Sequence, residues 1–232
     1  MKGMFITFEG TEGSGKSTQI RLLAETLKRR NRTVRVLREP GSTPIGEEIR
    51  HTLKHSQQNQ AMTPEAELLM MNAARAQLVR EVIRPALAAG HLVLCDRFSD
   101  STLAYQGYGR QLDRSAVEQL IDFAVGDTRP DLTLLLTVPL AVSEARRSSR
   151  QVSLFKGLSQ TAAELPRLGF TEPLRDRMEE ADRGFFERVE RGYEAIAAAE
   201  PDRVRVIDAT PPVEAVQASV WREVERLLAQ NK

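Results

Sequence analysis

Residues 10–18 read GTEGSGKST, and their types and spacing suit one kind of chemistry. Gly10, Gly13 and Gly15 allow a backbone tight enough for successive N–H groups to face a chain of phosphates, at the N-terminus of a following helix. Lys16 then reaches the β- and γ-phosphates of a nucleoside triphosphate, and the Ser17 hydroxyl is placed to ligate Mg²⁺. Gly10, Thr11, Glu12, Gly13, Ser14, Gly15, Lys16, Ser17 and Thr18 are therefore read together as an ATP-binding loop. Glu12 is the odd member, because it sets a carboxylate inside a pocket built for anions.

Two further stretches carry groups of the same chemistry, REPGSTP at 38–44 and CDRFSDSTLAYQG at 95–107. Asp96 directly follows an apolar run and is placed to hold Mg²⁺ through water, while Arg97 offers a bidentate fork for a second phosphate. A second anion site beside a triphosphate loop implies a phosphate-bearing acceptor. The plainer alternative makes Asp96 a helix cap and Arg97 a surface charge. A guanine-nucleotide switch is disfavoured, since it needs an NKxD motif after a later strand and Asn precedes Lys only at Asn231–Lys232.

Strands alternating with helices must position these groups. Apolar runs at Met4–Phe8, Thr33–Leu37, His91–Cys95, Leu132–Val138 and Arg203–Ile207 read as strands, and each ends at a polar or acidic residue. Helical patterns fill the gaps at Lys16–Arg29, Ile45–His55, Pro64–Ala89, Ser115–Ala124, Ala141–Arg150 and Val213–Ala229. This grammar predicts an α/β fold with a parallel sheet covered on both faces, whose ligands lie at the carboxyl ends of the strands. There is no internal repeat, so 1–232 is read as a single domain. The segment Gln151–Arg175 has mixed polarity and reads as an insertion, followed by a charged helix from Asp176 to about Ala199.

Composition sets the outer bounds. A chain of 232 residues with 41% hydrophobic content can bury a real core, and a net charge of +1 gives no global field for nucleic acid or an anionic membrane. Anion binding must be local. The single Cys95 closes the apolar run HLVLC and reads as a buried, reduced thiol. The apolar stretch in MKGMFITFEG is too short for a signal peptide and no later run approaches a membrane span, so the expectation is a soluble cytoplasmic protein.

In order and spacing, EGTEGSGKST, REPGST, ELLMMNAARAQ, DRFSDSTLAYQG, GDTRPDLTLLL and IDAT resemble the bacterial thymidylate kinases, over nearly the whole chain except Gln151–Arg175. The loop alone is unspecific; the set is not. The resemblance implies a P-loop nucleoside monophosphate kinase-like fold, a five-stranded parallel sheet with helices on both faces, and transfer of the γ-phosphoryl group of ATP to dTMP with Mg²⁺. It also implies a homodimer. By the same resemblance, Glu12 turns from the ATP phosphates to accept a hydrogen bond from the sugar 3′-hydroxyl; otherwise it is a solvent-facing residue near a helix start. Arg75 matches the arginine that hydrogen-bonds thymine. Met71, one turn earlier on the same face, stands where the family usually has a stacking Phe, and a thioether covers a base less selectively than a ring. Without the resemblance Met71 reads as core and Arg75 as a solvated edge. Arg38 and Arg97 match arginines about the acceptor phosphate, and Tyr105 and Gln106 match residues lining the acceptor sugar and base. Ser99 and Thr102 receive no role.

A phosphate monoester acceptor is largely dianionic at neutral pH, so no general base is needed and catalysis falls to alignment and charge neutralisation. In one branch of the family an arginine lies in the phosphate loop, where this chain has Gly13; the other branch, which this chain resembles, supplies it from a lid at about 146–178. Arg150 and Arg177 best match that lid pattern among Arg146, Arg147, Arg150, Arg175 and Arg177, and Arg146 is the member expected beside adenine. A solvated arginine-rich helix is the alternative. The extra apolar residues Leu154, Phe155, Leu165, Leu168 and Phe170 fit a small helical elaboration, a cover over the site or a subunit contact. Two functional rivals stand at this point, a kinase of another nucleoside monophosphate and a non-catalytic P-loop binding protein.

Overall fold

The computed structural model describes residues 3–146 and 181–230. Five strands, β1 (Met4–Glu9), β2 (Val34–Arg38), β3 (Leu92–Asp96), β4 (Leu132–Thr137) and β5 (Val204–Asp208), form one parallel sheet in the order β2-β3-β1-β4-β5. Each strand lies within a residue of its expected span. The polar residue placed just beyond four of the five runs is in fact the last strand residue, because Glu9, Arg38, Asp96 and Asp208 still belong to the strands.

The sheet is covered on both faces, as parallel sheets require. Even-numbered Met4, Ile6 and Phe8 of β1 pack toward α1 (Lys16–Arg29) and the C-terminal helix Val213–Gln230, with Leu23, Leu27, Val220 and Val224. Phe5 points the other way, into a core with Leu78, Val93, Cys95 and Phe98 under α3 (Pro64–Leu78) and α6 (Arg114–Val125). The period of two along β1 therefore puts Glu9 on the Phe5 and Thr7 side, opposite α1. α2 (Pro44–His55) and α3 begin with Thr43 and Thr63 as caps and proline in the first turn.

One helical expectation is corrected. The pattern Pro64–Ala89 is interrupted: α3 gives way to a π-helical turn at Val79–Ile83 before α4 (Arg84–Ala88). Pro85 has no N–H to give the carbonyl four residues back, and a π turn accommodates the defect while the axis continues. The charged helix begins at Arg183 among the described residues, because Asp182 is extended and its carboxylate accepts the Phe185 N–H as a cap; the expected start at Asp176 lies outside them. After β3 come the short α5 (Ser99–Thr102) and a second π-helical segment, Leu103–Gly109. Residues 140–146 are helical. The last two helices are α7 (Arg183–Ala199) and α8 (Val213–Gln230). Among the described residues no helix is long and apolar enough to cross a membrane.

Candidate active site

The carboxyl ends of β1, β2 and β3 share one edge, since Phe8 and Arg38 both stand in register with Asp96. From there the chain turns through the glycine loop into α1. Gly10 has φ +130°, and a Cβ there would lie 2.2 Å from the Leu136 carbonyl oxygen, so the turn tolerates no side chain. Lys16 is buried and its Nζ donates to the carbonyls of Gly10 (3.0 Å) and Thr11 (2.9 Å). Burial, with Arg97 adding to it, pulls its pKa down to about 8. Ser17 Oγ donates to Asp96 Oδ2 at 3.0 Å, bringing the expected metal pair together at the exposed start of α1. Behind the loop, Ser143 Oγ donates to the Glu12 carbonyl (2.6 Å) and Arg146 Nη1 to the Gly13 carbonyl (3.3 Å). Arg146 also donates to the Ala209 carbonyl at 3.2 Å, tying the loop to the IDAT turn after β5.

Beside the loop is a cleft whose wall includes Glu12, Met71, Arg75, Arg97, Tyr105 and Gln106. Six residues expected to serve one acceptor thus meet on one cavity. Glu39, Pro40, Lys54, Phe98, Ser101 and Thr102 complete its lining. Arg38 does not belong to it. Its Nη2 donates to Glu47 Oε2 at 2.9 Å, and both side chains are exposed.

Arg75 is the largest fully buried side chain, so its reading as a solvated edge is wrong. Its Nε and Nη2 lie 2.8 and 2.7 Å from Glu39 Oε2, Nη1 donates to Asn72 Oδ1, and Nη2 donates to the Phe98 carbonyl and Thr102 Oγ1. Four of its five N–H donors are thereby used, which leaves one on Nη1. Burial raises the Glu39 carboxyl against the pull of Arg75, and its Oε1 is buried without a hydrogen-bond partner. Gln106 Nε2 donates to the buried Glu67 Oε1 at 2.9 Å. Met71 is half-buried in the wall.

Arg97 has φ +71°, a left-handed conformation uncommon for arginine, and so stands at the floor of the cleft instead of continuing β3. Nη2 donates to Glu12 Oε1 (3.0 Å) and Tyr105 Oη (3.2 Å), and Nη1 to Ser101 Oγ (3.0 Å) and Tyr193 Oη (3.3 Å). Burial works to raise the Glu12 carboxyl, but Arg97, then Lys16 and Lys54, outweigh it and hold it at about 2. The reading of Glu12 as a solvent-facing residue fails, because it bridges the phosphate loop to the cleft.

Glu9, Glu39, Ser101 and Tyr193 join the site without having been expected there, as does Thr102, which had no expected role. Glu9 is wholly buried and accepts from the Phe98 N–H (2.7 Å), Ser101 Oγ and Tyr193 Oη (3.0 Å). Burial and then Asp100 push its carboxyl up to about 7. A signal existed, since a glutamate closing an apolar strand and a tyrosine on the buried stripe of a helix both need internal partners. Cys95 is buried and its thiol is raised well above its usual range, first by burial, as an inert core cysteine should be. Arg147, Arg150, Arg175, Arg177 and the stretch Gln151–Arg175 lie outside the described residues.

Comparison with known proteins agrees with the geometry. The thymidylate kinase family model matches residues 8–160. A thymidylate kinase of Alcanivorax borkumensis is 44% identical over 229 residues, covering 99% of each chain. One from Geobacter sulfurreducens is 48% identical over 218 residues, covering 94% of each. The crystal structure of thymidylate kinase from Ehrlichia chaffeensis superposes with a TM-score of 0.72 at 33% identity, covering 97% of this chain and 99% of that one. The loop, the cleft beside it, the sheet order and this full-length likeness converge, and the chain belongs to the thymidylate kinase family.

Proposed function

We infer that the chain phosphorylates dTMP, moving the γ-phosphoryl group of ATP to an oxygen of the dTMP phosphate to give ADP and dTDP. One observation carries the reading: Glu12 belongs to the phosphate loop yet pairs at 3.0 Å with Arg97 on the acceptor cleft, so the two phosphate positions abut. In this reading the dTMP phosphate lies on Arg97, the sugar 3′-hydroxyl on Glu12, and the base against Met71, Arg75 and Gln106. The Tyr105 ring covers the 2′ carbon and disfavours ribose. Arg38 reaches the phosphate only by leaving Glu47, so Arg97 is the main arginine of the acceptor.

The acceptor phosphate has a second pKa near 6 and enters as a nucleophile already deprotonated, so the protein aligns it and neutralises charge. Lys16 leaves two neutral carbonyls for the triphosphate at little cost. Ser17 and Asp96 supply two hard oxygen donors 3.0 Å apart, which suits Mg²⁺, an ion that takes few protein ligands and keeps waters and phosphate oxygens. Bound there, the ion would supply charge neutralisation to the triphosphate. Arg146, with Ala141, Val142 and Ala145 in a second depression, is assigned to the adenine side. Arg150 and Arg177 remain our assignment for the arginine that meets the transferred group; alanine at both is expected to lower turnover about a thousandfold with little change in dTMP affinity. A homodimer is also proposed, supported by Leu69 on α3 and Phe123 on α6, which are 55% and 80% exposed on neighbouring helices.

A coupled ADP-release assay with ATP, Mg²⁺ and each nucleoside monophosphate in turn tests the reading. Turnover is expected with dTMP and lost in Lys16→Ala. Preference for another monophosphate would overturn the base assignment, and turnover with none would overturn the activity.

A further inference from the structure

Arg97 is held from two sides that differ in kind. Nη2 meets Glu12 and Tyr105, both on the cleft wall, where a phosphate can take their place. Nη1 meets Ser101 at 3.0 Å and Tyr193 at 3.3 Å, and Tyr193 is not among the residues lining the cleft. A guanidinium only donates, so both hydroxyl oxygens must accept from it and send their own protons elsewhere. That destination is provided. Ser101 Oγ and Tyr193 Oη both donate to Glu9 Oε2, the latter at 3.0 Å, and lie 2.9 Å from each other. Glu9 is itself fixed by the Phe98 N–H at 2.7 Å, one residue beyond Arg97.

We propose that Tyr193, oriented by Glu9, is a positioning residue for Arg97: its hydroxyl anchors Nη1 so that Nη2 and Nε stay turned toward the acceptor phosphate. The packing of α7 supports this independently. Gly192, next to Tyr193, lies so close to the Tyr108 side chain that a Cβ would come within 2.9 Å of its ring. That close approach brings α7 onto the π-helical segment that carries Tyr105, and the Tyr193 ring meets the Tyr105 ring edge-on at 6.3 Å between centroids. The hydroxyl thus arrives from 96 residues away on a closely packed contact, which is what positioning demands.

The proposal rests on the dTMP reading and is tested separately from it. Tyr193→Phe keeps the ring and removes one oxygen. The measurements are dTMP binding by calorimetry, the inhibition constant of thymidine, which has no phosphate, and the same substitution in an Arg97→Lys background. Expected are dTMP affinity weakened about tenfold, roughly the worth of one hydrogen bond to a charged group, thymidine inhibition unchanged, and no further loss in the Arg97→Lys background. Equal loss for dTMP and thymidine, additive loss in the double variant, or unchanged dTMP affinity would each overturn the proposal. Wild-type turnover of dTMP, measured in parallel, reports on the underlying reading by itself.

Discussion

Replacing Glu12 by Gln removes the carboxylate that pairs directly with Arg97 and changes little else in shape. The native carboxyl sits at about 2 against the 4.5 usual for glutamate. A carboxylate depressed in the folded state contributes stability that is fully present above pH 4.5 and is lost as pH falls through 2. A full conversion of that shift gives about 3 kcal/mol. The Glu12 side chain keeps 26% of its exposure, so solvent screening brings the figure to roughly 2 kcal/mol. Glu12→Gln is therefore expected to unfold more easily in urea at pH 7, and the gap to wild type should shrink by roughly 1 kcal/mol at pH 3.5. A gap of the same size at both pH values would refute the electrostatic account, and no gap at pH 7 would refute the pairing. The amide is also a poorer acceptor for a sugar hydroxyl, so the dTMP dissociation constant should rise about tenfold.

Other perturbations reach other parts of the site. Glu39→Gln leaves Arg75 charged and buried without its counter-ion, a loss of about 3–5 kcal/mol in urea unfolding; a loss below about 1 kcal/mol would mean that Arg75 is balanced by its neutral partners alone. Asp96→Asn should raise the Mg²⁺ concentration for half-maximal turnover about tenfold or more while leaving dTMP affinity in place, and an unchanged Mg²⁺ dependence would remove Asp96 from the metal site. In Gly192→Ala the new methyl lies 2.9–3.0 Å from Tyr108 Cγ, Cβ and Cδ2, and the clash of about 1–3 kcal/mol outweighs the gain of about 1 kcal/mol in helix propensity. Its melting temperature should fall, and Tyr108→Ala in the same chain should abolish that difference.

The sheet and most helix starts were legible because they rest on local rules, such as apolar runs for the strands and Thr-Pro at the heads of α2 and α3. Met71 and Arg75 were legible as a pair only through the family resemblance, since their spacing places them on one helical face but does not say what that face meets. What stayed hidden depends on partners far away in sequence. Tyr193 meets Glu9 across 184 residues, and nothing near Arg75 announces that Glu39, 36 residues earlier, will neutralise it. Arg38 is the converse case, because a partner nine residues on, Glu47, pairs with it at the surface. Asp182 was overlooked as a cap because the charged pattern before it runs on in helical register.

The balance of charge also sorts the cations by the kind of ligand each can meet. Arg75 is matched by a carboxylate at 2.7 Å and by three further acceptors, so its charge is already answered and its one remaining N–H suits a neutral acceptor such as a base carbonyl. Arg38 is likewise answered by Glu47 at the surface. Lys16 rests on neutral oxygens, and its lowered pKa of about 8 marks a charge that its surroundings do not compensate. Arg97 lies between, with one carboxylate and three hydroxyls. In the proposed binding mode a phosphate displaces neutral oxygens from Lys16 without having to break an ion pair, and on Arg97 it displaces Glu12 and the Tyr105 hydroxyl, the acceptor sugar offering Glu12 a hydroxyl in exchange. Lys16 and Arg97 stand on either side of Glu12, and in the proposed reaction that is where two phosphates must be brought together for one to be passed to the other.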